Sequence, residues 1–308
     1  MGESDMLGVI GDIVQDIVVW TEEEVRHATD TKSEISMTRG GSAANVAAFA
    51  APRHPTRFIG CVGDDLGGLV VDRELTSHGV EVRLQRRGDT GMIVVIIDED
   101  GERKMFPSRG ASGLLEEVEP KWLQGIKILH MTGYSLQNEP TASSVIGAAR
   151  AVKDAGGKLS FDVSSTGMID LYGQDGFVDL MVELEPDYIS ANQDESEMLG
   201  LADESGPGPL LKRLDGVLLA RAGKDATRIM RGCDVLATVP VKPAEVVRDL
   251  TGAGDAFNAG FLSAILQDTG PVPDLVAAVE SAHALARRVL AHAGATEGDD
   301  VSLVSDPA

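Results

Sequence analysis

At 308 residues with 43% hydrophobic side chains, the chain can fill the core of one large α/β domain or of a domain with an inserted flap, so disorder is not its default state. A formal charge of −22, from 27 Lys and Arg against 49 Asp and Glu, opposes nucleic acid or an anionic membrane as partner, because both demand a basic footprint. Its two cysteines, Cys61 and Cys233, form no CxxC pair and read as small buried residues; this excludes a disulfide framework or zinc cluster and fits a reducing cytoplasm.

The start, MGESDMLGVIGDIV, lacks a basic region followed by a long apolar stretch, and no run of about 18 apolar residues occurs anywhere, so a soluble cytoplasmic protein is expected. LGVIGDIVV reads as a first strand ending near Asp12, a natural turn or cap residue. Residues 13–38 then read as strands with alternating polar and apolar positions, as in Glu34-Ile35-Ser36-Met37. Next comes Arg39-Gly40-Gly41-Ser42-Ala43-Ala44-Asn45-Val46-Ala47, at a strand end and entering a small-residue helix. Paired glycines permit positive φ and close backbone approach, and Asn45 both donates and accepts. The segment is therefore either a surface for a polyhydroxylated ligand or a structural turn with Ser42 capping the helix.

RFIGCVG and GGLVVDRELTSHG continue with a strand and a helix. Residues 90–108, MIVVIIDEDGERKMF with a turn at Asp100-Gly101, again read as alternating strands. Together with 13–38 they predict a small separate β-sheet: a lid over a ligand cleft, a plain edge extension, or a dimer interface. KILHMTG, TASSVIGAARAVKDAG, KLSFDVS, DYISAN and GVLLARAG restore the rhythm of a parallel sheet covered by helices. The expected organisation is a main domain of residues 1–12, 39–89 and 109–308, with 13–38 and 90–108 as the lid. Glu22-Glu23-Glu24 and Glu116-Glu117 read as solvated faces.

Near the C-terminus stands Leu250-Thr251-Gly252-Ala253-Gly254-Asp255-Ala256-Phe257. Ala256, Phe257, Gly260, Phe261, Ala264 and Ile265 follow at helical spacing, so a buried helix is expected from about Gly254 with Asp255 in its first turn. A helix N-terminus offers unpaired N–H groups and a positive dipole end to an anion. Residues 252–254 then hold a transferred phosphoryl group while Asp255 takes a proton from an attacking hydroxyl. The alternative is an ordinary capped helix whose Asp complements the dipole.

GGSAANVA, FIGCVGDDLGG and DLTGAGDAFNAGF, in this order, resemble the signature segments of the ribokinase-like, or PfkB, family of carbohydrate kinases, and the resemblance runs from about residue 7 to 298. It implies a doubly wound, mostly parallel α/β sheet flanked by helices with a small β-sheet lid. It also implies a phosphotransferase with an alcohol group as acceptor, moving the ATP γ-phosphate to a hydroxymethyl group. On this resemblance Asp255 matches the catalytic base, Gly252, Ala253 and Gly254 the anion hole, and Gly40, Gly41 and Asn45 the sugar-contacting segment. Asp12 matches an aspartate that binds sugar hydroxyls.

Asn192 and Glu195, in SANQDESEML, match a motif that helps place Mg²⁺ through bound water; the pair also suits an N-cap with a capping-box contact, and both hold together. Leu219 to Ala226 resembles a nucleotide-binding strand and loop that includes Arg221 and Gly223, although Ala226 replaces a usual glycine. Lys224 is read as an exposed loop residue. His283 falls where the family packs a side chain near the nucleotide, or is simply a partly buried helix residue. Asp249 and Thr251 match positions that bind an activating monovalent cation such as K⁺ together with carbonyls near 289 to 294; Gly298 departs from the serine found in ribokinase.

The acceptor is less defined. The strand end Phe161-Asp162-Val163-Ser164-Ser165-Thr166 lacks the arginine that accompanies a sugar acid. A phosphorylated acceptor would need cations, for which Arg39, Arg103 and Arg109 are the lid-proximal candidates. A nucleoside needs stacking surface, for which Phe106 and Tyr134 are available. The expectation is a ribose- or fructose-like sugar, with nucleoside kinase and non-catalytic sugar- or nucleotide-binding regulator as alternatives, and a homodimer formed through the lid. A dinucleotide-binding oxidoreductase is set aside because only Gly8 and Gly11 follow the first strand.

Overall fold

The computed structural model describes residues 5–98 and 102–298, so the turn expected at Asp100-Gly101 lies outside the described residues. The chain opens with β1 (Met6–Ile10), crosses to β2 (Val14–Thr21) and β3 (Ser33–Gly40), and returns through α1 (Ser42–Ala50), β4 (Thr56–Val62), α2 (Leu66–Ser77) and β5 (Glu81–Arg86). It leaves again for β6 (Met92–Ile97) and β7 (Arg103–Ser108). It then runs through β8 (Ile126–Thr132), α3 (Thr141–Asp154), β9 (Lys158–Asp162), α4 (Thr166–Tyr172), α5 (Gln174–Leu184), β10 (Tyr188–Ala191) and α6 (Gln193–Leu199). A short pair, β11 (Ala202–Asp203) and β12 (Gly206–Pro207), precedes β13 (Val217–Ala220), β14 (Thr227–Arg231), β15 (Asp234–Val239), α7 (Ala253–Gln267) and α8 (Leu275–Leu290).

Nine strands form the main sheet in the order β15-β14-β13-β10-β9-β8-β1-β4-β5. From β13 to β5 every pairing is parallel, and β14 and β15 add an antiparallel edge. This is the expected doubly wound, mostly parallel sheet. Helices cover both faces, so the central strands bury side chains on each side and read as continuous apolar runs. One core lies under α3 and α5 and includes Ile10, Met131, Phe161, Val145 and Phe177. The other lies under α1, α7 and α8 and includes Leu7, Val9, Val46, Phe257 and Phe261. Burying a ring such as Phe261 contributes about 2–3 kcal/mol of transfer free energy. Gly260 lets α7 meet α8 closely, because a Cβ there would stand 2.8 Å from Ala282 Cα.

The β14–β15 hairpin carries a correction. Cys233, expected to be buried, is exposed in its turn, while Cys61 is buried in β4. The signal was its neighbours, Gly232 with φ 56° and Asp234, which mark a turn rather than a core position.

The two segments 13–38 and 90–108 supply a separate four-stranded sheet, as expected, in the order β3-β2-β6-β7, with β2 and β6 parallel, the outer pairs antiparallel and β3 running on to Gly40. The expected polar and apolar alternation is absent from its centre. MIVVII is apolar at every position and VQDIVVWT at five of eight without alternating, because both faces of the two inner strands are covered in part. The edge strand β3 does alternate, yet its apolar residues Ile35 and Met37 point outward at 60% and 64% exposure. Among the described residues no helix is long and apolar enough to cross a membrane.

Candidate active site

Two helix N-termini and three strand ends of the main sheet converge on one cleft. α7 begins at Ala253 with Gly252 as N-cap in the left-handed region, φ 77°, and Asp255 in its first turn. A Cβ on Gly252 would stand 2.6 Å from Ala295 Cβ, so only glycine lets this turn rest on the 293–296 loop. The first N–H groups of a helix have no partner within it; at Ala253 the N–H turns back to the Leu250 carbonyl at 3.3 Å. Gly254 lies against Arg221, whose Nη1 would be 2.6 Å from an added Cβ.

Asp255 is fixed from α1. Ser42 Oγ donates to its Oδ1 at 2.6 Å and Asn45 Nδ2 donates to its Oδ2 at 2.9 Å. Burial pushes the carboxyl up to about 7; the two hydrogen bonds oppose that shift, and the charges of Asp162 and Asp12 add to it. Asn45 is oriented in turn, since its Oδ1 accepts from Arg39 Nε at 3.1 Å.

Of the two readings of this segment, the structural one has Ser42 capping α1. It is instead the first residue of that helix, after the N-cap Gly41, and its hydroxyl goes to Asp255. The end of α1 is satisfied by Asp12, whose Oδ2 accepts from Ser42 N at 2.9 Å and Oδ1 from Ala43 N at 3.1 Å. Thus Asp12 does cap a helix, and it also borders the cleft: Thr132 Oγ1 donates to Oδ1 at 3.3 Å and Arg109 Nη1 lies 4.0 Å from Oδ2. Gly41, at φ 95°, has no room for a Cβ because the Asp12 carbonyl would be 2.6 Å away.

Sequence reasoning passed over Asp16. It sits in β2 with Oδ1 buried and without a hydrogen-bond partner among the described residues, and an added Cβ on Gly40 would lie 2.1 Å from that oxygen. Burial first, then the neighbouring charge of Asp12, push its carboxyl up to about 6. The available signal was one charge inside the apolar run VQDIVVW, four residues after Asp12. Gly40 thus makes room for a carboxylate, and Gly41 for backbone.

On the other side of α7 lie Asn192 and Glu195. They form a complete capping box: Glu195 N donates to Asn192 Oδ1 at 2.9 Å, and Asn192 N donates to Glu195 Oε2 at 2.7 Å. Burial, reinforced by Asp162, pushes Glu195 up to about 7. Arg221, at the end of β13, donates through Nη2 to Asp162 Oδ1 at 3.1 Å, lies 3.9 Å from Glu195 Oε2, and stands over the Phe257 ring. Asn258 Nδ2 completes the set at Asp162 Oδ2, 3.0 Å away, and burial holds the Asp162 carboxyl above the ordinary range.

The remaining expected residues lie further out. Gly223, φ 59°, and Lys224 are exposed in the loop after Arg221. His283 Nε2 is 2.9 Å from Thr227 Oγ1, and its ring packs on Phe257, so it reaches the cleft only through that ring; burial lowers its pKa. Asp249 ties two loops together, accepting from Thr251 N and Gly294 N at 2.8 Å each. Among the described residues no group of three or more His, Cys, Asp or Glu is placed to hold a metal ion.

Of the three arginines expected near an anionic acceptor, Arg39 is withdrawn from that role. It is 2% exposed and donates to Asn45, to Glu74 Oε1 at 3.0 Å and to the Ala295 carbonyl at 2.9 Å. Arg103 lies in β7 opposite Ile97. Arg109 stands over the Tyr134 ring beside Asp12. Phe106 is 56% exposed on β7.

Known proteins resemble the chain along its length. The family model described as pfkB family carbohydrate kinase matches residues 4–301. A fructokinase of Klebsiella pneumoniae is 32% identical over 305 residues, covering 94% of this chain and 93% of its own length. An ATP-dependent ribose-1-phosphate kinase of Halopiger xanaduensis is 28% identical, covering 86% and 85%. Among solved structures, one described as ribokinase II from E. coli in complex with ATP and Mg²⁺ superposes with a TM-score of 0.81 at 23% identity, covering 96% of this chain and 95% of that one.

Proposed function

The chain belongs to the pfkB family of carbohydrate kinases, and from that premise we propose that it transfers the γ-phosphate of ATP to a hydroxymethyl group of a neutral, ribose- or fructose-like sugar with Asp255 as catalytic base. The observation that carries this reading is the Asp255 carboxylate, set in the first turn of α7 beside Gly252–Gly254, held by Ser42 and Asn45, and pushed up to about 7. A base whose pKa lies near the working pH accepts the hydroxyl proton as the sugar oxygen bonds to phosphorus and the bond to the ADP oxygen breaks. The N-terminal N–H groups of Gly252, Ala253 and Gly254 and the Arg221 guanidinium meet the charge on the phosphoryl oxygens.

On the acceptor side Asp12, Asp16 and Asn45 supply acceptors and a donor for sugar hydroxyls, and Gly40 and Gly41 keep the backbone close. Arg221, Gly223 and His283 flank the nucleotide. A divalent cation fits the chemistry on the far side of α7, because the buried carboxyl groups of Glu195 and Asp162 offer oxygen ligands and both lie against the Arg221 guanidinium, where positive charge is already accommodated. Asn192 and Glu195 would hold Mg²⁺ through water, and when bound it neutralises phosphate charge. Asp249 and Thr251, with carbonyls of the 289–294 loop, would hold K⁺. Residues 13–38 and 90–108 act as the lid, covering the acceptor.

Charge and stacking favour a neutral sugar. With Arg39 satisfied internally and Arg109 set against Asp12, the carboxylates of Asp12 and Asp16 leave no surplus of positive charge for a phosphorylated acceptor. Arg109 also covers a face of Tyr134, which takes that face from a nucleoside base and leaves Phe106 as the other candidate ring. In a coupled ADP-release screen, neutral ketoses or aldoses are expected to be turned over, with a higher rate when K⁺ replaces a large organic cation. Turnover of sugar phosphates or nucleosides alone would reject the neutral-sugar assignment, and turnover of no acceptor would favour a regulator.

The small sheet also supports self-association. Ile35, Met37 and Phe106 share one face through the register Met37–Ile17–Val94–Phe106, and each is more than half exposed. A second copy of this chain would cover that apolar face. Met37→Asp is expected to shift sedimentation from dimer to monomer. A wild-type chain that sediments as a monomer at all concentrations would remove this part of the reading.

A further inference from the structure

Arg221 occupies an unusual position. Its guanidinium sits between the Gly254 end of the anion hole and two carboxylates, Asp162 at 3.1 Å and Glu195 at 3.9 Å. Asp162 is 4% exposed and Glu195 1% exposed, so both carboxyl groups are shut off from water. The guanidinium is the cation that both carboxyl groups face, in the space a divalent ion between them would use. Arginine supplies that charge without exchange with solvent. It cannot serve the two carboxylates and an incoming phosphate with all of its donors at once.

We propose that Arg221 is a placeholder cation: in the nucleotide-free protein it neutralises Asp162 and Glu195 and keeps a divalent metal out, and a phosphate entering the Gly252–Gly254 hole draws it away so that metal binds only together with nucleotide. The inference rests on the reading of Glu195 as a metal-positioning carboxylate. Three features support it. Nη1 already faces Gly254, where a phosphate oxygen would lie within reach of a small movement. The Phe257 ring below the guanidinium offers a flat surface along which it can slide. Nε is buried and unpartnered among the described residues, so the guanidinium is not fully satisfied where it stands and has less to lose by moving. Asn258 stays on the second oxygen of Asp162 and keeps that carboxylate in place when Arg221 leaves.

Mn²⁺ binding followed by electron paramagnetic resonance, with no turnover involved, tests the idea. Wild-type protein is expected to bind free Mn²⁺ at least about tenfold more weakly than Arg221→Gln, because removing a unit positive charge a few ångströms from the metal position favours the cation. Addition of a non-hydrolysable ATP analogue should bring wild type up to the affinity of the variant. Arg221→Lys, which keeps the charge, should still exclude free Mn²⁺, and this guards against a gain caused by mere loosening of the fold. Equal Mn²⁺ affinity in wild type and Arg221→Gln overturns the placeholder role. So does tight Mn²⁺ binding by nucleotide-free wild type, a measurement that stands even if Arg221→Gln does not fold. Glu195→Gln separates the two readings: if it weakens Mn²⁺ binding with the analogue, the metal assignment holds whatever Arg221 does, and if it has no effect, the metal assignment fails and carries the placeholder with it.

Discussion

Asp255→Asn is expected to lower kcat by about a thousandfold, the range of a lost general base, while the affinity for ATP stays within about twofold. The substitution is close to isosteric, and the local hydrogen bonds tolerate it in one orientation. The amide oxygen faces Asn45 Nδ2, which cannot flip because Arg39 holds its Oδ1, and the new NH₂ faces Ser42 Oγ, which can turn to accept. Stability should move in the opposite direction to activity. An aspartate raised to about 7 in the folded protein binds its proton more tightly folded than unfolded, so the wild type loses stability as pH rises from its unfolded pKa near 4 to about 7, and the loss is complete above that. Asparagine carries no such dependence. Its melting temperature relative to wild type should therefore climb across that window, reaching a gain of about 3 °C or more at pH 8. The kcat/KM of wild type should fall tenfold per unit below about pH 7. Turnover by Asp255→Asn within tenfold of wild type would mean that another group takes the proton.

Arg39→Met should produce the largest loss of stability, about 3 kcal/mol, the scale for removing one partner of a buried ion pair. Methionine refills the volume but removes the Arg39 charge from Glu74 and its donors from the Ala295 carbonyl and from Asn45 Oδ1, so Asn45 loses the contact that orients its amide. Those three partners belong to α2, the C-terminal loop under Gly252, and α1, so one side chain at the end of β3 joins the small sheet to both helix ends of the cleft. Activity should fall as well, by about tenfold in kcat from misplacing Asn45 and through it Asp255. Urea denaturation and steady-state kinetics together decide the role. Unchanged stability with a raised KM for the acceptor would instead make Arg39 a substrate cation.

The two variants probe one chain of contacts, Arg39 to Asn45 to Asp255, that spans 216 positions of sequence (255 − 39). Neither end announces the other. Arg39 read as a candidate for an anionic acceptor because the sequence does not reveal that Glu74, on the next helix, takes its charge. Ser42 read as a helix cap because serine suits that position; the cap came instead from Asp12 across the strand crossover, and this freed the hydroxyl for Asp255. Asp16 escaped notice because one charged residue in a strand has no meaning until Gly40 and Asp12 stand beside it.

Architecture and family were legible in the order of residues alone. Strands buried on both faces must be apolar throughout, covering helices must repeat at 3.6 residues, and a glycine-rich turn before such a helix leaves few backbone choices. These are local constraints, legible in LTGAGDAF, in GGSAANVA and in the capping box of Asn192 and Glu195. Which charges are left over emerges only once the chain is folded. Whether Arg39, Arg109 and Arg221 face a ligand or a carboxylate, and whether Asp255 titrates near 4 or near 7, depends on burial and on partners from distant segments, because both the desolvation of a charge and its Coulomb neighbours are properties of space and not of sequence order.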